Sequence, residues 1–354
     1  MNMSTILTQE ALSLLQDLIA IQSFSSEEEG TAQRLEQWFT EHDIPFSREN
    51  NNIYAFNQNF QEGKPTLLLN SHHDTVRPNS AYTKDPFHPH IEDGKLFGLG
   101  SNDAGGPLVS LIALFTHYYE HPNPKYNLII AATAEEESSG PLGLNSLLKT
   151  LPHIDVAIVG EPTLMQLAVA EKGLVVFDAV ISGTASHAAH PNADNPIMKL
   201  PEVLRWFNNF TFEKESEVLG PVKMTVTQVS AGKQHNVVPA DVHLVIDVRV
   251  NDCYSNQEIV DLLQQEAPCT LTPRSTNLNS SSIPITHELV EAGIGLGRKP
   301  YGSPTLSDQA KLSCPSLKLG PGDSTRSHTA NEFIHVSEIE EGIAIYINLL
   351  NEIL

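Results

Sequence analysis

Short apolar runs and helical patterns alternate along both ends of the chain. Four runs have the length and composition of buried strands, at residues 66–69, 126–132, 156–160 and 315–320. Apolar residues recur at helical spacing in residues 105–120 and in the C-terminal segment 337–354, where Ser337 and Glu340 form a capping-box pattern. Strands that alternate with helices predict an α/β fold with a mostly parallel sheet.

The middle of the chain has a different, strand-rich pattern. It predicts three alternating strands and two helices, at 173–183, 220–230 and 241–250 for the strands and at 196–209 and 255–266 for the helices. We expect a small α+β, ferredoxin-like domain inserted into the larger one, with the polar segment 272–284 as a structureless return linker. The predicted domains are therefore residues 1–176 and 284–354 for the larger domain and 177–283 for the insert.

Composition narrows the class of protein. The chain has 354 residues, of which 40% are hydrophobic and 18% charged, as in ordinary globular proteins. Three cysteines without a CxxC spacing argue against disulfides and zinc ribbons, and the first basic residue, Arg34, comes too late for a signal peptide. With no long apolar run either, we expect a cytoplasmic protein that does not contact membranes. The net charge of −22 argues against a nucleic-acid partner.

Histidines and carboxylates follow each predicted strand of the larger domain. The residues in these positions are His72, His73 and Asp74 after the first strand, Glu135, Glu136 and Glu137 after the second, Glu161 after the third and His328 after the last. Ligands of open α/β sheets bind beyond the carboxyl ends of the strands. Imidazole and carboxylate groups gathered there indicate a metal site.

The spacing of these residues separates their roles. Residues i and i+2 of an extended segment face the same side, so His72 and Asp74 would point together and His73 away, with a backbone-bonded or solvated ring. An aspartate behind a ligating histidine fixes its ring orientation. The adjacent Glu136 and Glu137 would diverge, which lets one bind metal while the other faces a bound water.

The segment FGLGSNDAGG, residues 97–106, allows two interpretations. A G-x-G pattern before a helix is typical of dinucleotide-binding loops. Here, however, the third glycine position is Asp103, whose carboxylate would repel phosphate. Asp103 fits better as a carboxylate that bridges two cations.

Taken together, the motifs H-x-D, G-x-G-x-x-D, E-E, G-E-P-T and a late G-P-G…H-T resemble those of metallopeptidase family M20, over essentially the whole chain. The resemblance implies a zinc-peptidase-like catalytic domain with a two-zinc centre, in which Co²⁺ or Mn²⁺ could replace Zn²⁺. It implies that His72, Asp103 and Glu161 bind the first metal. Glu137, His328 and the shared Asp103 would bind the second. Glu136 would be the general base, and Asp74 would orient His72.

The insert is similar to the lid and dimerisation domain of that family. His187 would stabilise the oxyanion, often in the partner's site, and Asn236 and Arg249 would bind substrate. His190 has no such match and is expected to be an ordinary loop residue. A homodimer joined through the lid is implied. Three positions depart from the family pattern, at Ser71, Glu135 and Gly105, where the family usually has Gly, Asp and Lys.

The resemblance further implies hydrolysis of the amide bond of a small N-acyl amino acid, and N-acetylornithine in arginine biosynthesis is the expected substrate. Alternatives are N-succinyl-diaminopimelate, acylated citrulline or lysine, a dipeptide, or a binding protein without catalysis. A succinyl group carries an additional carboxylate, which needs an extra cation in the binding site. Basic residues that could supply it are Lys172, Lys233, Arg249, Arg274 and Arg326.

Overall fold

The structure, a computed structural model, describes residues 3–122 and 124–354. Its helices are α1 (Met3–Ile19), α2 (Glu29–Glu41), α3 (Gly106–Tyr118), α4 (Leu144–Leu147), α5 (Pro196–Asn209), α6 (Asn256–Glu266), α7 (Glu288–Gly295) and α8 (Val336–Asn351). Its strands are β1 (Phe46–Glu49), β2 (Asn52–Phe56), β3 (Thr66–His72), β4 (His90–Glu92), β5 (Lys95–Phe97), β6 (Asn127–Thr133), β7 (Val156–Val159), β8 (Leu167–Glu171), β9 (Gly173–Ser182), β10 (Ser186–His187), β11 (Lys223–Ala231), β12 (Val237–Val238), β13 (Asp241–Val250), β14 (Thr270–Pro273), β15 (Ser281–Ser282), β16 (Pro300–Ser303), β17 (Ser316–Lys318) and β18 (Phe333–His335).

The chain divides into two compact units. The larger unit comprises the chain up to Val169 together with Ser282–Tyr301 and Ser307–Leu354, and the smaller unit comprises Ala170–Ser281 and Gly302–Leu306. The predicted functions of these units, as a catalytic domain and a lid, stay predictions.

A central sheet organises the larger unit, with the strand order β1-β2-β6-β3-β7-β17-β8-β15 and β16 beside β8. The four strands at its centre, β6, β3, β7 and β17, run parallel, whereas β1, β2 and β8 run antiparallel to their neighbours. These four central strands are those predicted from the apolar runs, and the predicted α/β class with a mostly parallel sheet is confirmed.

Burial on both faces of the sheet explains why its central strands are apolar throughout instead of alternating. On one face, Leu67 and Leu69 of β3 join a core with residues of α1, α3 and α8. On the other face, Leu68 packs in a second cluster with Leu144 and Leu147 of α4. The carboxyl ends of the parallel strands remain free to carry polar side chains.

The smaller unit is an antiparallel sheet, in the order β11-β13-β9-β14, with two helices on one face. Apolar residues of β9 and β13 alternate and pack against α5 and α6, for example Phe177 and Ile246 against Phe207 and Leu263. The predicted strands and helices of this region are present within three residues of their expected limits.

Two local predictions are wrong. Segment 272–284 is not structureless, because Thr272 and Pro273 pair with β9 and Ser281–Ser282 form β15 beside β8. The last helix also starts before the predicted cap at Ser337. It begins at Val336, and Glu338 accepts a hydrogen bond from the backbone N–H of His335 (3.1 Å). Within the described residues, none of the helices combines the length and apolar character needed to cross a bilayer.

Candidate metal centre

The candidate site lies where the central parallel strands of the larger unit end. His72 is the last residue of β3, and Glu161 lies just beyond the end of β7. Glu136 and Glu137 lie in the turn that follows β6. Because parallel strands end at the same edge of a sheet, side chains from distant parts of the sequence meet there.

The imidazole of His72 faces three carboxylates. Its Nε2 lies 3.4 Å from Asp103 Oδ1 and 3.9 Å from both Glu136 Oε2 and Glu161 Oε1. The ring is buried, and Nε2 has no hydrogen-bond partner among the described residues. A buried ring nitrogen normally has a partner, which a metal ion would supply. The donors therefore fit a divalent metal ion.

The imidazole of His328 faces a second set of carboxylates. Its Nε2 lies 3.0 Å from Glu137 Oε2 and 3.6 Å from Asp103 Oδ2. Asp103 thus directs one oxygen at each histidine, which is the arrangement that a carboxylate bridging two cations requires. The structure brings together all five predicted ligands, and their roles as ligands stay predictions.

Asp74 connects the ends of two neighbouring strands. Its backbone oxygen lies 3.0 Å from His72 Nδ1, and its carboxylate accepts hydrogen bonds from the backbone N–H groups of Glu136 (3.0 Å) and Glu137 (3.1 Å). Ser25 donates a further hydrogen bond to it (2.6 Å). Although burial raises the pKa of Asp74, the contacts with His72 and these donors outweigh it and lower the pKa to about 2. Asp74 therefore stays ionised beside His72, and its role in orienting that ring stays a prediction.

Burial and mutual repulsion raise the proton affinity of Glu136, Glu137 and Glu161. Burial, followed by the charge of Asp103, raises the pKa of Glu161 to about 8, and burial raises the pKa of Glu136 well above its usual value. The contact with Glu137 raises the pKa of His328 to about 9. Cations bound among these groups would remove the repulsion, as the chemistry of the donor set suggests.

His73 points away from this cluster, as the alternation along the strand predicts. Its Nδ1 lies 2.9 Å from Thr31 Oγ1 and its Nε2 lies 2.9 Å from the backbone oxygen of Asn51. The ring is buried, and burial lowers the pKa of His73 to about 4. Of the two expected environments, backbone-bonded and solvated, the first is present.

Glu332 supports the site and was not predicted from the sequence. Its buried carboxylate accepts hydrogen bonds from the backbone N–H groups of Gly100 (3.0 Å), Asn102 (2.8 Å) and Asp103 (3.0 Å). These amides belong to the G-x-G loop and are the groups that a nucleotide phosphate would need, so the loop is not arranged for a dinucleotide. The only signal in the sequence is its position four residues after His328.

A buried ion pair below the site also had no signal in the sequence. Lys311 Nζ lies 2.9 Å from Asp308 Oδ1, and both side chains are almost fully buried. Asp308 Oδ2 accepts hydrogen bonds from Asn70 of β3 (3.1 Å) and Thr133 of β6 (2.9 Å). Burial lowers the pKa of Lys311, but the Asp308 carboxylate outweighs it and the net shift is upward.

The predicted residues of the smaller unit fall into two groups. His187 and Val237 are paired between β10 and β12, and the backbone oxygen of Asn236 accepts a hydrogen bond from the N–H of Ala188 (2.9 Å), so His187 and Asn236 are neighbours. The strand β12 directly precedes β13 in the sequence, whereas Arg249 lies near the carboxyl end of β13. Its guanidinium group forms a two-point ion pair with Asp247 (2.9 and 3.0 Å). Within one copy of this unit, Arg249 therefore does not join the other two.

The sequence matches Peptidase family M20/M25/M40 over residues 68–352. The chain belongs to this family. The predicted family is thereby confirmed, and membership makes the chain a metal-binding hydrolase.

Relatives and solved structures agree with this assignment. Succinyl-diaminopimelate desuccinylases from Beijerinckia indica and Cereibacter sphaeroides are 28% and 25% identical to the chain; each match covers 97% of the chain, and 99% and 98% of the relative. An aminopeptidase PepT from Bacillus cereus has a TM-score of 0.77 at 16% identity, with 98% of both chains covered. A dinuclear metal-binding M20 peptidase from Bacillus subtilis has a TM-score of 0.72 at 14% identity, again with 98% of both chains covered. The two structures show that the fold is shared.

Proposed function

We propose that this chain is a two-metal hydrolase that cleaves the amide bond of a small N-acyl amino acid. The observation that carries the proposal is Asp103, whose two carboxylate oxygens face His72 and His328 separately, with Glu136 and Glu161 beside the first histidine and Glu137 beside the second. Zinc suits these donors, and cobalt or manganese are alternatives.

Each side chain has a separate task in this proposal. His72, Asp103 and Glu161 would hold one cation, and Asp103, Glu137 and His328 the other. Two such cations, when bound, lower the pKa of a water molecule and polarise the substrate carbonyl. Glu136, whose pKa is raised by burial, would accept the proton from that water and return it to the leaving amine. Asp74 would keep His72 oriented throughout.

The acyl group is best proposed as succinyl. The relatives described above carry the name succinyl-diaminopimelate desuccinylase, and they give no support to the N-acetylornithine predicted from the sequence or to a place in arginine biosynthesis. At 25–28% identity the names suggest a class of substrate, not one compound. An N-succinyl amino acid carries an additional carboxylate, which requires a cation in the site.

Lys233 is our candidate for that cation. Of the five basic residues near the motifs, four have partners: Lys172 bonds the backbone oxygen of Pro221, and Arg249, Arg274 and Arg326 pair with Asp247, Asp178 and Glu338. In the described part of the chain, Lys233 makes no hydrogen bond or ion pair. It is exposed on the loop between β11 and β12, three residues before Asn236.

A substrate panel tests the proposal. Zinc- or cobalt-loaded protein would be assayed with N-succinyl- and N-acetyl-diaminopimelate, -ornithine, -citrulline and -lysine, and with dipeptides. We expect the highest kcat/KM for a succinyl compound, and we expect Lys233→Met to lower it about 10-fold or more while sparing acetyl substrates. Lys149→Met, which makes the same charge change on an exposed residue of the larger unit, should leave both unchanged.

The outcomes separate the alternatives. A higher kcat/KM for an acetyl compound or a dipeptide would contradict the succinyl assignment but not the metallohydrolase. Stoichiometric metal without hydrolysis of any compound would favour the binding protein instead.

A further inference from the structure

Two loops that carry predicted ligands are fastened to each other by protein hydrogen bonds. The first loop, residues 98–103, carries Asp103, and the second, residues 322–332, carries His328. At one end of the second loop, Asn102 Nδ2 donates to the backbone oxygen of Asp323 (3.0 Å) and its Oδ1 accepts from the N–H of Asp323 (3.0 Å). The other end is fastened by Glu332.

Glu332 fixes the backbone of the first loop at four points, three through its carboxylate and one through its backbone oxygen. Its Oε1 accepts from the N–H groups of Asn102 and Asp103, its Oε2 accepts from Gly100, and its backbone oxygen accepts from the N–H of Gly98 (3.0 Å). Hydrogen bonds to a charged group are stronger than those between neutral groups, so this buried carboxylate holds the loop firmly at three amides. Asp103 is therefore presented by a backbone that hydrogen bonds of the protein itself hold in place.

We propose that Glu332 is a positioning residue that sets the second of the two metal positions, the one shared by Asp103, Glu137 and His328. This inference rests on the proposed two-metal centre. The first position has one ligand, the shared Asp103, on these loops; its others are His72, which is held by Asp74 and the end of β3, and Glu161, which follows β7. The second has two of its three ligands, Asp103 and His328, on the loops that Glu332 joins. Loss of Glu332 should therefore weaken the second position more than the first.

The variant Glu332→Gln tests this inference. A glutamine keeps one acceptor oxygen for the N–H groups of Asn102 and Asp103. Its NH₂ group, however, would face the N–H of Gly100, and two donors cannot form a hydrogen bond with each other. We expect wild-type protein to bind two equivalents of Zn²⁺ by calorimetric titration, and the variant to bind one with a smaller loss of affinity and the other about 10- to 100-fold more weakly. Binding of Co²⁺, followed by its absorption spectrum, gives a second measure that does not use activity.

Glu258→Gln is the matched control. Glu258 also accepts a backbone hydrogen bond, from Ser255 (2.7 Å), and pairs with Lys214, but it belongs to the smaller unit and to neither of the two loops. We expect it to lower thermal stability and leave both zinc equivalents in place. If Glu332→Gln does not fold, as judged by circular dichroism, Glu332→Asp is measured instead, because a shorter carboxylate cannot reach all three amides.

Each result bears on one proposal. Two zinc equivalents of unchanged affinity in the Glu332 variant would overturn the inference. Equal weakening of both equivalents would also overturn it, since that result indicates general destabilisation. Fewer than two equivalents in the wild-type protein would overturn the two-metal centre itself.

Discussion

Glu136 and Glu137 are adjacent in the sequence but face different partners. Glu136 Oε2 lies 3.9 Å from His72 Nε2, whereas Glu137 Oε2 lies 3.0 Å from His328 Nε2. The backbone N–H groups of both residues bond to Asp74, so the turn that carries them is held by a group that is itself part of the site. Neighbouring side chains of the same type can therefore have different tasks.

Substitution of each glutamate should separate these tasks. Glu136→Gln keeps the shape of the side chain but cannot accept a proton, and we expect it to retain metal and lower kcat by about 100- to 10,000-fold. Glu137→Ala removes a ligand, and we expect it to lose one metal equivalent. Metal analysis by mass spectrometry alongside steady-state kinetics measures both effects. Near-normal turnover in the Glu136→Gln protein would rule out its role as the base.

The three departures from the family pattern have local physical explanations. Ser71 is buried and donates to the backbone oxygen of Gly160 (2.8 Å), which fastens β3 to the end of β7. Glu135 accepts a hydrogen bond from the N–H of Leu142 (2.8 Å) and closes the turn after β6. At Gly105, a Cβ atom would lie 2.5 Å from the backbone oxygen of Gly100 and 2.6 Å from Leu15 Cδ1. A lysine does not fit this backbone, so close packing accounts for the glycine.

At the scale of secondary-structure elements, the Asp308–Lys311 pair fastens the two strands that carry most of the site. Asp308 receives hydrogen bonds from Asn70, two residues before His72, and from Thr133, three residues before Glu136. The ammonium group of Lys311 balances the Asp308 charge in a site already rich in carboxylates. A buried charge is tolerated only while its partner is present.

Removal of Lys311 alone should therefore lower the free energy of unfolding more than removal of the charges of both Asp308 and Lys311. We expect Lys311→Met to lower the free energy of unfolding by about 3 to 5 kcal/mol, because it leaves Asp308 buried and uncompensated. The double variant Asp308→Asn, Lys311→Met should regain most of that loss, since no lone charge remains. Urea unfolding of the metal-free proteins measures both. A double variant no more stable than the single one would show that Lys311 contributes packing and not charge balance.

The sequence predicts the parts of this fold that depend on neighbouring residues, and it does not predict the parts that depend on tertiary contacts. The four central strands and α3 follow from apolar runs, and the outward direction of His73 follows from strand alternation. The strand β8 and the return strand β14 were missed, because their pairing partners lie far away in the sequence. Glu332 and Lys311 were missed for a related reason: a buried carboxylate or ammonium has the same sequence signature as an exposed one, and only tertiary contacts reveal it.

For the whole molecule, the smaller unit contains the residues on which the predicted homodimer depends. His187 and Asn236 lie near the start of β13, since Gly183 bonds to Ala240, and Arg249 lies near its end. At about 3.3 Å per residue, Asp241 at the start of β13 and Arg249 are about 26 Å apart. An N-acyl amino acid is no longer than about four extended residues, about 14 Å, so it does not bridge these backbone positions. Two copies of the chain would bring the two groups together at one substrate.

A mixing experiment tests this requirement for a homodimer. His187→Ala and Glu136→Gln proteins should each be nearly inactive, whereas in a heterodimer one site would combine an intact Glu136 with the partner's intact His187. After complete subunit exchange, half of the dimers are mixed and half of their sites are intact, so we expect about a quarter of the wild-type activity. Native mass spectrometry of the two variants, one of them isotope-labelled, verifies exchange. Verified exchange without recovered activity would mean that His187 acts within its own chain or not at all. Because Asn236 and Arg249 lie far apart in one copy, only one of them would then contact the substrate.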